Sequence, residues 1–150
     1  MRTNRTRDNS DTNGKSQAVL FLSMARARPG QKSNEPIAIG AQRDLGHGRA
    51  HAMNADIVGE FVEMGAAATR WQTRPVVNEL LDYLDEHPTI RYVVFPGLHR
   101  FSRNHADFVA LQRRFEELEV DVVCASGERI VSANEADAFV EHLITAAQSI

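Results

Sequence analysis

The run Val93-Val94-Phe95-Pro96-Gly97-Leu98-His99-Arg100-Phe101-Ser102-Arg103 passes from an apolar, strand-like stretch into a turn with two arginines three residues apart. On a first helical turn that spacing puts both guanidinium groups on one side, where their planar, permanently charged forks can grip the oxygens of a phosphate. The chemistry suggested is recognition of a phosphodiester. Two more arginines, Arg26 and Arg28, end the first apolar stretch of the chain. His99 beside the pair is a candidate acid or base near neutral pH.

Other reactive residue types read as structural. Ser102, between the paired arginines, is expected to serve as a helix-entry hydroxyl. Ser23 falls deep in the first strand and Ser33 in the loop that follows it. His47 and His51 have the i, i+4 spacing of a metal pair, but no third ligand follows at a recognisable distance, so a solvated pair and no metal are expected. There is no GxGxxG or GxxxxGK[ST] run, and no small-molecule cofactor is expected. Cys124, alone in the run Val120-Asp121-Val122-Val123-Cys124-Ala125, reads as a buried core thiol.

The elements that must position these residues alternate. Ala18–Ala27 is an apolar run of strand length, followed by turn material from Arg28 to Asn34. Pro36 to about Asn54 reads as a helix capped by Asn34, Asp56–Val62 as a second strand and Glu63–Gln72 as a loop. Thr73 is placed to cap a helix whose apolar positions are Val76, Val77, Leu80, Leu81 and Leu84. Arg91–Phe95 is a third strand, and Asn104 caps a helix carrying Phe108, Val109, Leu111, Phe115 and Leu118. Val120–Ala125 is a fourth strand, and Ser132-Ala133-Asn134-Glu135 is a capping box for a last helix through Phe139, Leu143, Ile144 and Ala147. The pattern predicts an α/β fold, a single three-layer domain around a mainly parallel sheet of four to five strands. In such sheets ligands lie at the carboxyl ends of the strands, where Arg26, Arg28, His99, Arg100 and Arg103 would converge.

With 150 residues, 43% of them hydrophobic, the chain has the size of one domain with a sizeable core. Residues 1–17 read as a disordered polar arm and 18–150 as the domain. A net charge of -3 excludes a strongly basic coat, so any nucleic-acid contact must be focused. One cysteine cannot form an intrachain disulfide, no apolar run is long enough to span a bilayer, and the start lacks a signal-peptide centre. A cytoplasmic protein without membrane contact is expected.

Taken together, the landmarks resemble the N-terminal catalytic domain of the serine recombinases, the resolvase and invertase family. Its members carry a strand followed by Leu-Asp-Arg-x-x-Arg. The order Met24-Ala25-Arg26, Ile39-Gly40-Ala41-Gln42, Arg74-Pro75, Arg100 and Arg103 follows the family's, over about residues 17 to 150. The resemblance implies a resolvase-like fold and assigns Arg26, Arg74, Arg100 and Arg103, with Gln42, to phosphate or DNA binding. A lone arginine usually pairs with a surface carboxylate, but a cluster of like charges makes sense when an anion is meant to arrive. In the family the first strand ends in Tyr-x-Arg-x-Ser, whose serine attacks the DNA phosphodiester. Here Arg28 occupies that place, or Ala25 in an earlier register; His99 replaces the family's aspartate and, with no nucleophile to serve, reads as a relic position; and the loop Glu63-Met64-Gly65-Ala66-Ala67-Ala68, which aligns with the family's Asp-x-x-x-Ser-Gly region, lacks its Ser-Gly. An arginine offers no oxygen to carry a covalent intermediate.

The resemblance, with these departures, implies a catalytically degenerate recombinase domain that binds DNA phosphates, a recombinase partner or a second copy of itself as a homodimer, without cutting. Arg28 adds positive potential to that pocket. Two alternatives stand beside this reading: an active subunit with a displaced nucleophile at Ser33 or Ser23, and a protein-interaction scaffold that does not bind DNA. The family's long dimerisation helix and separate DNA-binding module are expected to be missing, since the chain ends at Ile150.

Overall fold

The computed structural model describes residues 14–24, 35–65 and 70–139. Its sheet contains β1 (Ser16–Met24), β2 (Ala55–Met64), β3 (Ile90–Phe95) and β4 (Asp121–Cys124), in the order β2-β1-β3-β4 with every pairing parallel. The helices are α1 (Glu35–Ala52), α2 (Pro75–Glu86), the single turn α3 (Leu98–Phe101), α4 (His105–Glu117) and α5, which begins at Ala133. The expected α/β architecture is therefore the one observed.

Covered on both faces, β1 is a continuous apolar run from Ala18 to Leu22, all of it buried. Its alternation sorts the layers. Val19 and Phe21 join Val93 and Phe95 against Leu80, Leu81 and Leu84 of α2 and Leu111 and Phe115 of α4. Leu20, Leu22 and Val94 face the opposite way, toward Ile39 of α1. Helix α1 lies so close that a Cβ at Gly46 would overlap Leu20 Cδ1. Phe101 is fully buried and packs edge-on against Phe95 at 5.3 Å and Phe108 at 5.3 Å, which anchors α3 to the core.

Several boundaries move. β1 starts at Ser16, inside the expected arm, and Gln17 receives a hydrogen bond from Thr89 Oγ1 at 2.6 Å. β2 runs on through Glu63 and Met64, because the parallel ladder with Ser23 and Met24 continues that far. The expected loop also contains a 3-10 turn at Trp71–Thr73. Thr73 does not cap α2: its hydroxyl donates to Arg70 O at 2.9 Å, and Arg74 takes the cap position without a side-chain bond. Asn104 and Ser132 cap as expected, accepting from Asp107 N at 2.8 Å and Glu135 N at 3.1 Å. Arg26, Arg28, Ser33, Leu143, Ile144 and Ala147 lie outside the described residues.

Candidate functional site

Helix α1 covers one face of the sheet, whereas α2 and α4 cover the other. The chain thus reverses its winding between β1 and β3, and the crevice at the carboxyl ends of those two strands is the topological switch point where ligands bind in this architecture. The motif turn 97–103 follows β3 at this place.

That turn is not one helical turn. α3 ends at Phe101, and Ser102 is extended, with φ -156° and ψ 149°. Arg100 therefore sits on α3 and Arg103 beyond it, half-buried and exposed respectively, and neither pairs with a carboxylate among the described residues. By contrast Arg43, Arg113, Arg114 and Arg129 each lie against a carboxylate, at 2.6 to 3.7 Å.

Arg74 does something different from a free ligand. Only 2% exposed, it donates from Nε and Nη2 to the two oxygens of Glu63 at 2.8 Å each. It further donates to Phe101 O at 2.6 Å and Arg100 O at 2.8 Å. One buried guanidinium thereby joins the end of β2, the start of α2 and the motif turn, with its charge balanced by Glu63.

Two further carboxylates hold the same turn. Glu128 accepts from Leu98 N at 3.0 Å and from Ser126 Oγ at 2.9 Å. These two bonds, then His99, hold its carboxyl below the ordinary range. Gly127, at φ 89°, makes the turn that delivers it, a conformation glycine adopts without cost from a side chain. Asp107, 6% exposed, accepts from Ser102 Oγ at 2.8 Å and from Trp71 N at 2.7 Å. Sequence reasoning gave none of Glu63, Asp107 and Glu128 a role. Glu63 carried a signal in its alignment with the family's Asp-x-x-x-Ser-Gly region, and Asp107 in being an acid in the first turn of a capped helix.

Gln42 lies on α1 facing the end of β1. The β1–β3 ladder ends at Leu20 and Val94, and beyond it the Gln42 amide accepts from Ser23 N at 2.9 Å and donates to Ser23 O at 2.8 Å. It thus replaces a neighbouring strand. Ser23 Oγ is buried and makes no hydrogen bond. His47 and His51 are exposed, and no metal-ligating cluster occurs among the described residues. Burial pushes the Cys124 thiol up to about 11, as expected of a core cysteine.

These features define a doubly wound, all-parallel α/β domain whose unpaired arginines stand on a braced turn at the switch point. Within that class, a family model described as the resolvase N-terminal domain matches residues 27–150, and the chain belongs to that family. Three solved structures share the fold over 89% of this chain. A resolvase family site-specific recombinase from Streptococcus pneumoniae is 17% identical, with a TM-score of 0.64 over 91% of its length. The N-terminal catalytic domain of TP901-1 integrase is 18% identical, with 0.59 over 95%. The C-terminal catalytic domain of ISC1926 TnpA, an IS607-like serine recombinase, is 18% identical, with 0.58 over 82%. No protein of curated function matches the chain in sequence. The domain is thus of the resolvase, serine-recombinase type, related to proteins of site-specific recombination. Among the described residues no helix is long and apolar enough to cross a membrane.

Proposed function

We propose that this domain holds the phosphate backbone of DNA at the carboxyl end of its sheet without cutting it. Arg100 and Arg103, with Arg26 and Arg28, supply the charge. The observation that carries this reading is the contrast between Arg74 and the pair it supports. Arg74 is neutralised by Glu63, whereas Arg100 and Arg103 stand on a fixed turn with no carboxylate of their own among the described residues. A preorganised cationic surface of this kind loses little entropy when an anion arrives.

The absence of cutting rests on the hydroxyls. Ser23 is 3% exposed and clamped by Gln42, and Ser102 is 8% exposed and bonded to Asp107. Neither is available for in-line attack on a phosphodiester. Arg28, or Ala25, takes the nucleophile's place in the sequence. In this role the domain would act beside a recombinase partner or a second copy of itself.

The test is incubation with supercoiled plasmid carrying a crossover site, followed by denaturing trapping of covalent protein–DNA adducts. No adduct is expected. A phosphoserine adduct abolished by Ser33→Ala would replace this reading with that of an active enzyme using a displaced nucleophile.

A further inference from the structure

The cleft between the Trp71–Thr73 turn and the start of α4 has a volume of about 290 Å³ and is lined by Arg70, Gln72, Asn104, Ala106, Asp107 and Ala110. We infer that it is a second phosphodiester subsite, in which Arg70 holds a phosphate of the same DNA next to the one held by Arg100 and Arg103. This inference rests on the DNA-binding reading and adds to it a residue and a place.

The chain neighbours of Arg70 and Arg103 are joined through one side chain. Asp107 Oδ1 accepts from Trp71 N at 2.7 Å, and its Oδ2 accepts from Ser102 Oγ at 2.8 Å. Arg70 precedes the first of those residues and Arg103 follows the second. The two arginines therefore flank a single buried carboxylate although they are 33 positions apart in the chain (103 minus 70).

The backbone of Arg70 is fixed. It is extended at φ -127° and ψ 129°, and its carbonyl accepts from Thr73 N at 3.1 Å and Thr73 Oγ1 at 2.9 Å. Its side chain is exposed and has no carboxylate partner among the described residues. A fixed Cα with an unpaired guanidinium is suited to a planar, doubly hydrogen-bonded anion.

Size and lining fit this ligand. At about 290 Å³ the cleft lies at the lower end of the roughly 300 to 1,000 Å³ of ligand pockets, room for one phosphate with its sugar. Ala106 and Ala110, one helical turn apart on α4, line the cleft with small side chains, and Gln72 and Asn104 add polar ones. Asp107 in the wall keeps its negative charge, but both its oxygens are turned to hydrogen bonds within the protein, so the Arg70 guanidinium is the group left to meet an anion.

The experiment is a titration of the full chain with a short DNA duplex at several salt concentrations between about 50 and about 200 mM. Arg70→Ala, Ala110→Leu and Arg100→Ala with Arg103→Ala are compared with wild type. Arg91→Ala, at the amino end of β3, controls for loss of charge alone. One lost phosphate contact lowers the slope of log affinity against log salt by about 0.9, which is roughly eightfold in affinity at about 0.1 M salt. Arg70→Ala is expected to show both changes, and Ala110→Leu to weaken binding with Arg70 still present. Arg91→Ala should show neither.

If Arg70→Ala keeps the wild-type slope while the Arg100 and Arg103 variant weakens, the subsite is wrong and the DNA-binding reading stands. An equal effect of Arg91→Ala overturns the subsite as well, since charge alone would then account for the loss. Absence of salt-dependent binding by wild type overturns both.

Discussion

Arg74 and Glu63 form a two-pronged ion pair, Nε to Oε2 and Nη2 to Oε1, each at 2.8 Å, with side chains only 1% and 7% exposed. The same guanidinium holds the carbonyls of Arg100 and Phe101. One of the arginines that the family resemblance assigns to phosphate thus ties together the elements that present Arg100 and Arg103. Removing Glu63 would strand a buried cation. Glu63→Ala is therefore expected to cost about 3–5 kcal/mol, read as a lower urea midpoint. A loss below about 1 kcal/mol would place the pair among ion pairs of no structural consequence.

The glycines of α1 are expected to respond with opposite signs. At Gly46 an added Cβ meets Leu20, so Gly46→Ala should destabilise by about 1–3 kcal/mol through overpacking. At Gly40 and Gly48 nothing lies within 4 Å of an added Cβ, and each alanine should stabilise by about 0.5–1 kcal/mol. Thermal unfolding of the three single variants checks the order. A stabilising Gly46→Ala would contradict the close approach of α1 to β1.

Cys124 is buried, and its thiol is pushed up to about 11 by burial and then by Glu128. The thiolate needed for attack is therefore scarce in the folded protein at pH 8. Labelling by a thiol reagent should be slow in native buffer and fast in denaturant. Equal rates in the two conditions would contradict the packing of β4.

Glu128 links stability of the motif turn to pH. Its carboxyl lies below the ordinary 4.5 in the folded protein because Leu98 N–H and then Ser126 Oγ donate to it. The carboxylate's contribution is thus complete above the unfolded value and is lost as pH falls through the folded one. Amide exchange at Leu98 should consequently lose protection on acidification below about pH 4.5, and Glu128→Gln should be less protected at neutral pH. Protection at Leu98 unchanged by the substitution would show that the carboxylate does not hold the turn.

Much of this was legible in the chain. The apolar runs around Leu20 and Val93 are buried on both faces, so they read as parallel strands. Asn104 and Ser132 signalled their helices because capping is local chemistry between residues three apart. Glu63 looks like the start of a loop in sequence, since its partner Arg74 arrives only through tertiary packing. The break at Ser102 was hidden for a similar reason. Phe101 is drawn into the core and Ser102 toward Asp107, and these contacts outweigh the helical spacing of the two arginines. Contacts between separate elements leave no mark at a fixed sequence spacing, so the bonds by which Glu63, through Arg74, and Glu128 brace the turn stayed unseen.

The most direct measurement is DNA binding by the wild-type protein and by Arg100→Ala with Arg103→Ala, at about 50 and about 200 mM salt. The account predicts wild-type affinity that falls steeply with salt, and a double variant that binds more weakly with a slope shallower by about 1.8, two contacts' worth. Wild-type and variant curves that coincide, or no binding by either, would contradict a phosphate-holding turn and leave the fold as a scaffold for protein contacts.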